Sequence, residues 1–82
     1  MSRRVAWTRL AQRDLERFDR QTLQRITDAV MRFAATGHGD VRRLHGQRDE
    51  WRLRIGDWRV RFTLREHDIV VLRVLPRGSA YR

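Results

Sequence analysis

Trp51-Arg52-Leu53-Arg54-Ile55-Gly56-Asp57-Trp58-Arg59-Val60-Arg61-Phe62 is the stretch on which the fold turns. Large apolar residues alternate with arginines on both sides of Gly56-Asp57, a period of two that belongs to half-buried strands. Gly56-Asp57 is a two-residue hairpin signal. The second arm continues through Thr63, Leu64 and Arg65, and a further turn at Glu66-His67-Asp68 leads into Ile69-Val70-Val71-Leu72-Arg73-Val74-Leu75. That run is almost continuously apolar, which predicts a strand covered on both sides. Residues 51–75 therefore read as a three-stranded antiparallel meander.

Upstream the period changes. Val5-Ala6-Trp7 predicts a short first strand, followed by Thr8 as a helix N-cap. Leu10, Ala11, Leu15 and Phe18 are spaced as on a helix running from Leu10 to Phe18. Asp19 is the expected cap of a second helix, whose apolar stripe is Leu23, Ile26, Val30, Phe33 and Ala34 and whose stop is Gly37. His38 to Gln47 contains Gly39 and Gly46 and predicts an irregular connection anchored by Leu44. The expectation is one α+β domain over residues 1–82: an N-terminal strand, a helical hairpin, then the meander, with helices on one face of a twisted sheet.

The balance of charge bounds the function. The 82 residues include 19 basic and 10 acidic side chains, a net charge of +9, and every one of the 19 is arginine. Guanidinium groups stay charged at physiological pH, pair bidentately with phosphate or carboxylate and stack on bases. An acidic partner is expected, either nucleic acid or an acidic protein segment. With no cysteine, disulfides and thiolate metal sites are excluded. His38, His45 and His67 lie in loops or turns without metal-ligand spacing, so no metal or cofactor is expected. No P-loop or dinucleotide fingerprint is present. The N-terminal residues lack an apolar signal core and no apolar run reaches membrane-spanning length, so a cytoplasmic protein is expected.

On the hairpin, alternation sends Trp51, Leu53, Trp58, Val60 and Phe62 toward the helices. Arg52, Arg54, Arg59 and Arg61 point the other way. Cross-strand neighbours lie about 5 Å apart, so like charges at these positions repel unless an anion lies between them. A solvated face is the bland alternative, although a purely structural sheet would mix in Glu or Thr. Arg77 and Tyr81, in the tail Pro76-Arg77-Gly78-Ser79-Ala80-Tyr81-Arg82, reach the same end of the molecule if the chain folds back along the sheet. Taken by itself, a tyrosine here reads as a surface aromatic.

The hairpin string resembles the central hairpin of toxins of the RelE/ParE superfamily. Gly39-Asp40-Val41-Arg42-Arg43-Leu44-His45-Gly46 resembles the loop before it, and Val74 to Arg82 resembles the C-terminal signature. Ala11-Gln12-Arg13-Asp14-Leu15 is similar to a recurrent first-helix pattern, so the resemblance spans essentially the whole chain. It implies the toxin of a type II toxin–antitoxin system, neutralised by a cognate antitoxin whose acidic or amphipathic segment wraps it. RelE-like members are ribosome-dependent mRNA endoribonucleases that use no metal; ParE-like members inhibit DNA gyrase. A toxin-derived module that only binds its antitoxin is a third possibility. On the RelE-like reading, the resemblance makes Arg59 the transition-state clamp. Arg52, Arg54 and Arg61 would then bind substrate phosphate. Arg77 would assist the leaving oxygen, and Tyr81 would serve as base or base-stacking platform.

Overall fold

The computed structural model describes residues 2–44, 46 and 49–78. Its elements are β1 (Arg4–Trp7), α1 (Arg9–Leu15), α2 (Arg20–Thr36), β2 (Asp40–Arg43), β3 (Glu50–Ile55), β4 (Trp58–Arg65) and β5 (Asp68–Pro76). The five strands form one sheet in the order β1-β5-β4-β3-β2. β1 runs parallel to β5, with Trp7 opposite Val71 as the last pair. Parallel neighbours need a crossover connection, and the helices supply its first part.

Both helix starts follow from their caps. Thr8 Oγ1 accepts from the Ala11 amide at 3.1 Å and donates to the Leu72 carbonyl at 2.9 Å, so one hydroxyl opens α1 and ties it to β5. Asp19 Oδ1 accepts from the Thr22 amide at 3.1 Å, and hydrogen bonding to the Thr22 side chain and then to its amide holds the Asp19 carboxyl below its ordinary pKa. Gly37 ends α2 with φ 78°, a left-handed conformation that suits glycine. α1 is shorter than its apolar spacing predicts. The Arg17 and Phe18 amides bond back to the Asp14 and Leu15 carbonyls in tight turns. This closes the helix at Leu15 and lets Phe18 pack 4.5 Å from Trp58.

The core lies between α2 and the inner face of the sheet. Ile26, Val30 and Ala34 of α2 meet Leu53, Val60, Phe62, Ile69, Val71 and Val74, with Trp7, Trp51 and Trp58 packed around them. The Phe33 and Phe62 rings meet at a tilt of 55° with centroids 5.3 Å apart.

Two expectations are corrected. First, the stretch read as an irregular connection contains a strand: β2 pairs antiparallel with β3, Val41 opposite Leu53 and Arg42 opposite Arg52. Asp40–Arg43 has a single apolar residue, too little to display a period. The strand exists because β3 offers it an edge and Val41 packs against the core. Second, β5 is not covered on both sides. Ile69, Val71 and Val74 are buried, whereas Val70, Leu72 and Leu75 are half-exposed. Arg61 pairs with Arg73 but Phe62 pairs with Val71, which leaves Leu72 as an extra residue in a bulge. The bulge shifts the inward positions from 69 and 71 to 74, so an alternating strand looks continuously apolar in sequence.

Pairing with β1 ends at Val71, so beyond it β5 has β4 on one side and no strand on the other. α1 closes that edge. The Asp14 carboxylate accepts from the Val74 amide at 2.9 Å and from Arg73 Nε and Nη2 at 2.8 and 3.0 Å. Asp14 is 5% exposed. Burial by itself would raise its pKa. The hydrogen bonds from Arg73 and Val74, and the charges of Arg73 and Arg17, outweigh burial and hold it below the ordinary value.

Candidate anion-binding face

The register of β2, β3, β4 and β5 builds the outer face of the sheet from the residues that oppose one another. One row runs Arg42, Arg52, Arg61, Arg73; the next runs Asp40, Arg54, Arg59, Leu75. The expected cluster of Arg52, Arg54, Arg59 and Arg61 is thus on one face, and Arg42 and Arg73 extend it.

These guanidiniums are in different electrostatic states. Arg61 is neutralised: its Nη2 and Nε both donate to Glu50 Oε2, the latter at 3.2 Å, and both side chains are largely buried. Arg73 is committed to Asp14. Arg54 is exposed and Arg52 is buried, at 8% exposure. Arg59 is the most unusual. Only 4% of it is exposed, its Nη1 donates to the Gly56 and Trp58 carbonyls at 2.9 and 3.0 Å, and its Nε has no hydrogen-bond partner. Among the described residues, no carboxylate pairs with it. A buried cation satisfied only by carbonyl dipoles carries an uncompensated charge.

Arg77 sits at the same end of the sheet. Its amide donates to the Asp57 carbonyl at 2.8 Å, and Pro76 pairs with Trp58. The end of β5 is therefore fastened to the β3–β4 turn beside Arg54 and Arg59. Tyr81 and Arg82 lie outside the described residues, as does His45. His38 and His67 are exposed. Among the described residues no cluster of His, Asp or Glu is arranged to hold a metal, and no helix is long and apolar enough to cross a membrane.

Sequence reasoning missed the Asp14–Arg73 pair and did not name Arg61 as the partner of Glu50. A signal for the first was present. Asp14 falls on the apolar stripe of α1, between Ala11 and Leu15, and Arg73 is the lone charge in the apolar run from Ile69 to Leu75. Two isolated opposite charges on faces that must be buried are each other's natural partner.

Comparison with known proteins decides the family. A family model for the ParE toxin of the parDE type II toxin–antitoxin system matches residues 5–81. The chain belongs to this toxin family. No curated protein matches it. Among solved structures, it superposes on the RelBE2 toxin–antitoxin complex of Mycobacterium tuberculosis with a TM-score of 0.83 and 22% identity, over 96% of this chain and 95% of that one. The RelE–RelB complex of Pyrococcus horikoshii OT3 gives a TM-score of 0.78 and 25% identity over 98% and 100%. The RelB–RelE complex of Methanococcus jannaschii gives 0.77 and 20% over 93% and 94%. The toxin thus has the RelE/ParE superfamily fold, two helices on a five-stranded mixed sheet.

Proposed function

We propose that this toxin is a metal-independent, ribosome-dependent mRNA endoribonuclease acting through the outer face of its sheet, restrained by a cognate antitoxin. The observation that carries the reading is Arg59, a buried guanidinium without a carboxylate partner among the described residues, beside the exposed Arg54 and the turn bearing Arg77. Such a site stabilises negative charge as it develops, because the cation is oriented in advance and water is excluded. In the reaction the ribose 2′-oxygen bonds to the adjacent phosphorus while the bond from phosphorus to the 5′-oxygen breaks. The products are a 2′,3′-cyclic phosphate and a 5′-hydroxyl. Arg59 clamps the phosphorane-like transition state, and Arg52 and Arg54 hold substrate phosphate. Arg61 joins them only when Glu50 releases it. Arg77 assists the leaving 5′-oxygen, and Tyr81 acts as base or stacking platform.

A second reading, inhibition of DNA gyrase on the same fold, is favoured by the ParE family match. Induction of the toxin without antitoxin, followed by primer extension across abundant mRNAs, separates the two. Cuts within translated frames that drop about 100-fold or more in Arg59→Ala support the nuclease. Growth arrest with DNA damage and intact mRNA supports gyrase as the target. No arrest overturns both and leaves a binding module.

A further inference from the structure

Two arginines in one row of the outer face, Arg61 and Arg73, are paired with carboxylates, and the two pairs are built differently. Arg73 meets Asp14 as a fork on a fork: Nε donates to Oδ2 and Nη2 to Oδ1, and the Val74 amide adds a third bond. Arg61 directs both Nε and Nη2 at one oxygen of Glu50, Oε2. Among the described residues, the Glu50 side chain bonds nothing else. Glu50 stands opposite Thr63 and not opposite Arg61, so it reaches its partner diagonally across the strands. A guanidinium fork takes two oxygens of an oxyanion side by side, so this pairing fills only half of what Arg61 can bind.

Arg59 and Arg61 lie two residues apart on β4, about 7 Å along one face of the strand. A nucleic acid strand lying along β4 offers successive phosphates to the two in turn. We propose that Glu50 is an internal stand-in for a substrate phosphate: its carboxylate occupies Arg61 in the free toxin and is displaced by the phosphate next to the scissile one. The inference deepens the nuclease reading and rests on it for the choice of RNA as ligand, which a binding assay checks directly. The Glu50 and Arg61 side chains are 18% and 17% exposed, so the carboxylate has a way out to water. Arg61 changes one charged partner for another that fills its fork, and is not left bare in a partly buried place. The stand-in also sets a threshold. A lone phosphate on Arg59 leaves the Glu50–Arg61 pair closed, whereas linked phosphates bring the second to Arg61 at high effective concentration. The subsite therefore favours an oligonucleotide over a mononucleotide or free phosphate.

The test is binding of a fluorescein-labelled 2′-O-methyl oligoribonucleotide, which has no 2′-hydroxyl to react, to the purified toxin by anisotropy over a range of salt. Glu50→Gln should bind about fivefold tighter than wild type or more. Its plot of log affinity against log salt should steepen by about 0.7, because no carboxylate is set free to collect a counter-cation when the phosphate arrives. In Glu50→Gln/Arg61→Gln the slope should return to that of wild type. Asp28→Asn removes the same charge from the exposed face of α2 and should change affinity by less than about twofold. Thermal melts establish that each variant is folded; Glu50→Thr, which suits a strand, replaces Glu50→Gln if the latter melts early. Wild-type affinity and slope in the folded Glu50 variant overturn the inference. So does an equal gain in Asp28→Asn, which makes it a bulk-charge effect, or a steepened slope that survives the loss of Arg61. Failure of wild type and Glu50→Gln alike to bind the oligonucleotide overturns it too. If the slopes behave as expected while induced toxin leaves mRNA intact, the proposed nuclease falls and the exchange at Arg61 stands.

Discussion

At the scale of single residues, two buried charges decide most of the chemistry, and they are opposites. Asp14 is fully partnered: Arg73 and the Val74 amide occupy both its oxygens. Asp14→Ala leaves the Val74 amide unpaired and Arg73 without its counter-ion. Because Arg73 is 35% exposed, it rehydrates in part, so the expected loss is about 2–3 kcal/mol by urea denaturation, below that for a wholly buried pair. The folded-state pKa of Asp14 lies below its unfolded value. Its contribution is thus present above the unfolded pKa, about 3.9, and is lost as pH falls through the lower folded value. Asp14→Asn should be less stable than wild type at neutral pH and converge toward it in acid, as seen in melting temperatures from pH 7 to 2. Parallel curves would contradict this. Arg59 is the reverse case, a buried charge that among the described residues bonds only carbonyls, and for that reason it marks the candidate site.

At the scale of elements, β2 and the bulge in β5 show how the sheet acquires its working face. Adding β2 places Arg42 beside Arg52, and the bulge at Leu72 turns Arg73 to the position opposite Arg61. Gly39, just before β2, approaches β3 closely: a Cβ there would come within 2.7 Å of Leu53 Cδ1. Gly39→Ala should therefore destabilise the protein by about 1–3 kcal/mol through overpacking. Hydrogen exchange should quicken at the β2 amides before it does so in β4. Wild-type stability for this variant would mean that β2 docks less tightly than the structure has it.

At the scale of the whole molecule, the chain carries a net charge of +9 and has a sheet face where arginines stand opposite arginines. Self-repulsion of this kind is relieved by a polyanion, which stabilises the folded state by mass action. A single-stranded oligoribonucleotide should raise the melting temperature more than sodium chloride at equal ionic strength. The logarithm of its affinity should fall linearly with the logarithm of salt, and Arg54→Ala should reduce that slope by about 0.7, the share of one phosphate contact on a single strand. An unaltered slope would remove Arg54 from the binding face.

Local pattern and cap chemistry were enough, from sequence, for the two helix starts at Thr8 and Asp19, the stop at Gly37, the hairpin at Gly56-Asp57 and the common face of Arg52, Arg54, Arg59 and Arg61. Each depends on periodicity or on one residue's own conformational preference, information that survives in a linear string. The parallel seat of β1 beside β5, the existence of β2, the bulge at Leu72 and the partners of Asp14 and Glu50 belong to the tertiary structure. They arise when segments distant in the chain compete for the same sheet edge or the same counter-charge. Which arginines are neutralised follows from that competition, and so does the lack of a carboxylate beside Arg59 among the described residues, because a charge becomes partnered only when the fold decides what is brought beside it.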